Sequence, residues 1–145
     1  MKVDIIITVI IEKDAKVLLI PSGGKLFKLP KVSLKTHESP RDTVRRIMKM
    51  FGVRGDFKIE GLVGIYSLVG SCDESCTFVF GCIVQAGNKT RFSKGKFFSK
   101  EELEKIVEEE KQLEDASINS MILKDYLLGE KYSLDIMKMV EEIKL

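Results

Sequence analysis

Arg45, Arg46 and Lys49 fall together on a short segment whose residue pattern is helical, and their shared chemistry is the binding of anions. A guanidinium grips phosphate through a bidentate fork, and an ammonium attracts it as a point charge. Lys31, Lys35, Lys94 and Lys96 add cations in the flanking loops. A solvated charged face is the competing reading of all seven residues. Carboxylates are scarce nearby. Glu38 and Asp42 are the only two next to this segment, and each also suits a helix start, where the positive end of the helix dipole favours an acid. His37 is the sole histidine, and no Ser-His-Asp or Cys-His arrangement follows from spacing alone. Cys72, Cys76 and Cys82 lack a neighbouring histidine or second cysteine pair to complete a zinc site, so they read as free thiols.

These side chains need a scaffold to aim them. Residues 39–51 predict a helix with Ser39 as N-cap, Pro40 in the first turn and Asp42 where a capping acid would sit. Val44, Ile47, Met48 and Phe51 repeat at helical spacing and form its apolar face, while Met50 falls on the polar side. Gly52 marks the stop. Residues 3–11 and 16–20 are β-branched runs around Glu12-Lys13-Asp14 and predict a hairpin of buried strands. Leu26 to Leu29 predicts a further short strand, and residues 57–69 and 76–86 predict two longer ones around a loop at 70–74. Ser99 and Glu102 form a capping-box pattern ahead of a helix carrying Leu103, Ile106 and Val107. Helices are also expected over about 117–128 and 133–143, with Gly129 between them. This order of elements favours an α+β or mixed α/β sandwich.

Length and composition set the outer bounds. At 145 residues with 44% hydrophobic and 32% charged side chains, the chain suits one globular domain, residues 1–145. No stretch approaches the roughly 20 apolar residues of a membrane helix, and the N-terminal apolar runs lack a signal-peptide cleavage pattern, so a cytoplasmic protein without membrane partners is expected. Abundant Lys, Glu and Ile with few Gln and Asn hint at a thermophile. The net charge of +2 hides an asymmetry, because residues 28–58 carry nine Lys/Arg against three Asp/Glu, whereas residues 100–145 carry seven Lys against thirteen Asp/Glu.

The run Phe27-Lys28-Leu29-Pro30-Lys31-Val32-Ser33-Leu34-Lys35-Thr36-His37-Glu38-Ser39 resembles the entry to the Nudix box of MutT-like hydrolases. Phe27, Leu29, Pro30, Glu38 and Ser39 match its aromatic, Leu-Pro and Glu-Ser positions. Arg45 with Ile47 resembles the Arg-Glu-apolar segment, and Gly52-Val53 the end of the box. Beyond it, Thr77 to Val84, Lys96 to Leu103 and Leu123 to Leu127 resemble a core strand, an aromatic-Ser-x-Glu-Glu-Leu junction and a C-terminal helix. The likeness thus runs through nearly the whole chain. It implies an α/β fold of α+β type, a Nudix-like α/β/α sandwich with a mixed sheet.

The resemblance also implies a chemistry that the substitutions disturb. Family members hold magnesium on glutamates of the helical Arg-Glu-apolar-x-Glu-Glu run, and the metal bridges the substrate's pyrophosphate. Here Arg46 replaces the first glutamate, Lys49 and Met50 the later pair, and Lys31 and Val32 the paired loop glycines. The spacing from Glu38 to Arg45 is one residue shorter than the family pattern. Ammonium and guanidinium groups cannot ligate Mg²⁺ at neutral pH. The leading expectation is a degenerate site without metal ligands, in which Lys31, Lys35, Arg45, Arg46, Lys49, Lys94 and Lys96 bind a nucleotide or other phosphorylated small molecule, with Glu38 as the remaining catalytic candidate. Two readings stand beside it. One is a working Mg²⁺-dependent hydrolase of nucleoside diphosphate-linked compounds, recruiting Glu60, Glu114 or Asp115. The other is a nucleic-acid or protein interaction module using the basic face, for which the absence of interleaved aromatics is unfavourable. A homodimer is expected by family analogy alone.

Overall fold

The structure is a computed structural model that describes residues 2–69 and 75–133; the expected loop at 70–74 and nearly all of the expected helix over 133–143 lie outside the described residues. Ten elements follow in order: β1 (Lys2–Lys13), β2 (Lys16–Ser22), β3 (Leu26–Lys28), β4 (Lys31–Ser33), α1 (Pro40–Met50), β5 (Phe57–Val69), β6 (Ser75–Ala86), β7 (Lys96–Phe98), α2 (Lys100–Glu109) and α3 (Ala116–Leu127). The predicted hairpin is present. It turns at Asp14 and Ala15, both with positive φ, which is the backbone twist that suits a tight antiparallel turn.

The sheet is mixed. β1 runs parallel to β6 from Lys2↔Ser75 to Glu12↔Gln85, and β5 pairs antiparallel with β6. On its other edge β1 holds β2 at one end and β4 at the other, while β3 and β7 both pair with β2. The β4 pairing, Ile6↔Ser33 through Thr8↔Lys31, was not among the expected strands.

Strand alternation divides the core into two layers, because successive side chains point to opposite faces. From β1, Ile7, Val9 and Ile11 face α1, joined by Leu18 and Ile20 of β2 and Phe80, Cys82 and Val84 of β6. Ile10, with Val17, Leu19, Val79 and Ile83, faces α2 and α3. Each fully buried Leu or Ile contributes roughly 1.5–3 kcal/mol through removal from water. A helix therefore covers each face of the sheet. Among the described residues no helix is long and apolar enough to cross a membrane.

α1 has the boundaries its sequence signals predict. Ser39 Oγ accepts the Asp42 amide at 3.1 Å, and Pro40 occupies the first turn. At the other end Gly52, with φ of 68°, donates to the Lys49 carbonyl, and Val53 donates to that of Met48. This pair of bonds is the Schellman arrangement, which needs a left-handed residue. The capping box of Ser99 and Glu102 is formed at the start of α2. Two tyrosines tie α3 to the sheet: Tyr66 donates to Asp125 at 2.7 Å, and Tyr126 donates to Glu12. Burial, reinforced by these bonds, pushes both phenols above their ordinary range.

Candidate functional site

The buried stripe of α1 consists of Thr43, Val44, Ile47 and Met48, so the helix can present only its opposite side to a ligand. Arg45 and Arg46 are neighbours there, yet they do different things. Arg46 Nε donates to Glu38 Oε2 at 2.9 Å and Nη2 donates to Oε1 at 3.0 Å, a bidentate pair with side chains 23% and 15% exposed. The same Nη2 donates to the Ser33 carbonyl at 2.7 Å. Glu38 Oε1 further accepts the Thr43 hydroxyl at 2.8 Å and the Lys35 amide at 3.1 Å. The Arg46 guanidinium, with help from these donors, holds the Glu38 carboxyl at about 2, far below its usual range. Glu38 in turn raises the Arg46 pKa. Together they clamp the 33–38 loop onto α1.

Arg45 reaches instead to Asp42, at 3.2 Å, in an exposed pair one turn apart. Such a pair contributes at most about 1 kcal/mol, so a ligand anion can compete for the guanidinium. Lys49 is exposed beyond it, and Met50 is 54% exposed on the same helix end. The loop carrying Lys94 docks at that end too: Ser93 Oγ donates to the Phe51 carbonyl at 3.1 Å, and Arg54 and Arg91 exchange backbone bonds at 2.9 and 2.8 Å. Lys94 and Lys35 are exposed, as is His37 in the turn entering α1.

Lys31 and Lys96 turn to the other side of the sheet. Lys31 pairs with Asp115 at 3.1 Å, ahead of α3. Lys96 stands 5.2 Å over the Phe98 ring and lines a groove with Glu102 and Lys105 of α2. The structure thus gathers Lys35, Arg45, Arg46, Lys49 and Lys94 around α1 and sets the other two candidates apart.

The acids considered for a hydrolase each stand beside a cation in a partly exposed pair: Glu60 lies 3.3 Å from Lys131, Glu114 3.8 Å from Lys28, and Asp115 beside Lys31. Among the described residues no three His, Cys, Asp or Glu side chains stand close enough to hold one metal ion. Magnesium asks for an octahedron of oxygens at about 2.1 Å, and one carboxylate committed to a guanidinium does not supply it. The residues of this region do not fit the metal. Of the thiols, Cys82 is buried and pushed up to about 12 by burial, so it is inert; Cys76 is half-buried and Cys72 lies outside the described residues.

Thr43 and the Ser33 carbonyl were not among the expected site groups. A signal for Thr43 existed, since a hydroxyl inside an apolar helical stripe needs a partner. For the Ser33 carbonyl there was none.

No protein-family profile and no curated relative matches the sequence. Solved structures do match. A Nudix hydrolase from Nitrosomonas europaea is 23% identical, with 93% of this chain and 95% of that chain covered and a TM-score of 0.70. A MutT Nudix hydrolase from Burkholderia pseudomallei is 14% identical over 86% of this chain and 98% of that one, with a TM-score of 0.61. A Nudix-family hydrolase from Clostridium perfringens is 15% identical over 87% and 97%, at 0.58. At these identities the likeness establishes the fold, a Nudix-like α/β/α sandwich around a mixed sheet.

Proposed function

We propose that this Nudix-like domain binds a nucleotide or another phosphorylated small molecule through cations of the α1 face, without metal-dependent hydrolysis. The observation that carries the reading is the state of Glu38. It is the one carboxylate at the entry to α1 with its oxygens turned inward, and Arg46, Thr43 and the Lys35 amide occupy them. The outward groups include the cations Arg45, whose partner Asp42 is itself exposed, and Lys49 and Lys94 at the far end of the helix. Arg46 acts here by positioning the loop, and ligand contact passes to Lys35, Arg45, Lys49 and Lys94. The fold supports the ligand class, since the structures that share it include Nudix and MutT hydrolases, and the resemblance to that family implies a pyrophosphate substrate.

The test pairs two readouts on one panel of nucleoside triphosphates, NADH, nucleotide sugars and dinucleoside polyphosphates. Thermal stabilisation that persists in EDTA, with no product released in Mg²⁺ or Mn²⁺, is the expected result. Turnover that appears with metal and vanishes in EDTA overturns it in favour of a working hydrolase. Absence of stabilisation across the panel overturns it as well.

A further inference from the structure

Beside the clamp lies a second cationic feature. Arg41 and Arg45, one turn apart on α1, line a cavity of about 390 Å³ together with Phe57, Lys58 and Ile59 at the start of β5. That volume falls within the range of small-ligand pockets, about 300–1,000 Å³. Residues four apart on a helix bring their side chains to one side, about 5–6 Å apart at Cβ, close enough for two guanidiniums to bracket one phosphate or a diphosphate. Asp42 is bonded to Arg45 in an exposed pair that a phosphate can displace. Lys58 lines the cavity from the strand between Phe57 and Ile59, and alternation turns its side chain toward the other face of the sheet. Phe57 and Ile59 pack on the α1-side core and give the cavity an apolar floor.

We infer that this cleft between α1 and the first residues of β5 is the seat of the ligand: a small organic phosphate whose phosphate lies between Arg41 and Arg45, with its apolar or planar part against Phe57. The inference rests on the reading that the domain binds a phosphorylated ligand, and it adds Arg41 to the residues that recognise it. Arg41 belongs neither to the loop nor to the clamp. A free nucleotide and a nucleic-acid backbone offer the same phosphate, and the cavity's size favours the free nucleotide.

The experiment titrates ADP, pyrophosphate and a single-stranded oligonucleotide into the intact chain in EDTA, following affinity by calorimetry. Wild type is compared with Arg41→Gln and with Lys105→Gln, which removes the same charge from α2. Weakening of ADP by about tenfold or more in the cleft variant, with less than about threefold in the α2 variant, is expected. In wild type, amide resonances of Phe57 to Ile59 should shift on addition of pyrophosphate, a readout that needs no variant. Unchanged affinity in the cleft variant, or equal weakening in both variants, overturns the cleft while leaving ligand binding intact. Tighter binding of the oligonucleotide than of ADP overturns the small-molecule assignment. Failure of wild type to bind any of the three overturns both the cleft and the function it rests on.

Discussion

The two sides of α1 obey different rules. Its inner side, Thr43, Val44, Ile47 and Met48, is buried to 1% exposure or less against strands β1, β2 and β6. Its outer side carries Asp42, Arg45, Lys49 and Met50, all exposed, with Arg46 half-buried at the border. The inner side is bound by packing, where a missing methylene is felt at once. The outer side, exposed to solvent, carries no such packing constraint. A helix can therefore keep its place in a Nudix-like sandwich whatever its outer side carries. Scaffold and chemistry separate along one helix.

The largest effect should come from the inner side. Ile47→Ala removes a fully buried side chain in the middle of the α1 layer and should cost about 2–4 kcal/mol, read as a lower urea midpoint at unchanged m. A loss below about 1 kcal/mol would mean that α1 is not seated as described. Gly52→Ala should follow closely. Its φ of 68° strains any L side chain, and a Cβ there would meet Ser93 Oγ at 1.8 Å. A cost of about 1–3 kcal/mol is expected, with the 91–95 loop displaced from the helix end.

The clamp lies at the border of the two sides and should show intermediate effects. Glu38 titrates at about 2 in the folded chain and near 4.5 when unfolded. Its contribution is therefore complete above about pH 4.5 and is lost as pH falls toward 2. Allowing for the solvent that still reaches the pair, it amounts to about 2 kcal/mol. Arg46→Met should flatten the stability profile between pH 2 and 4.5 and lower stability at pH 7, as measured by denaturation at each pH. A variant whose acid limb matches wild type would assign that limb to other carboxylates.

How much of this was legible beforehand follows the same division. The ends of α1 were written in Ser39, Pro40 and Gly52, and its buried stripe in the spacing of Val44, Ile47 and Met48, because caps and periodicity are local signals. β4 and β7 were missed as strands. Each is three residues long, and what makes them strands is a partner, β1 or β2, brought alongside by the fold. The cations near α1 were legible as charge, but their partners were not. Arg45 and Arg46 are adjacent in sequence, yet one turns to Asp42 three residues back and the other to Glu38 eight residues back. Helical spacing offers the first partner; only the folded 33–38 loop offers the second. Lys31 and Lys96 illustrate the same limit, since strand pairing sends them to the face of α2 and α3.

The smallest stability change should come from the outer side, which no packing constrains. Lys49 is exposed at the last turn of α1, where its charge also favours the negative end of the helix dipole. Lys49→Gln should therefore shift unfolding by no more than about 0.5 kcal/mol. Its effect on a phosphorylated ligand should be larger in proportion, a weakening of about two- to fivefold at low salt that fades as ionic strength rises and screens the charge. Inner-side substitutions offer the contrast, for they lower stability while leaving the affinity of the folded fraction nearly intact. If Lys49→Gln left affinity untouched at every salt concentration, the far end of α1 would drop out of the recognition surface. The ligand would then be confined to the half of the helix that carries Arg41 and Arg45.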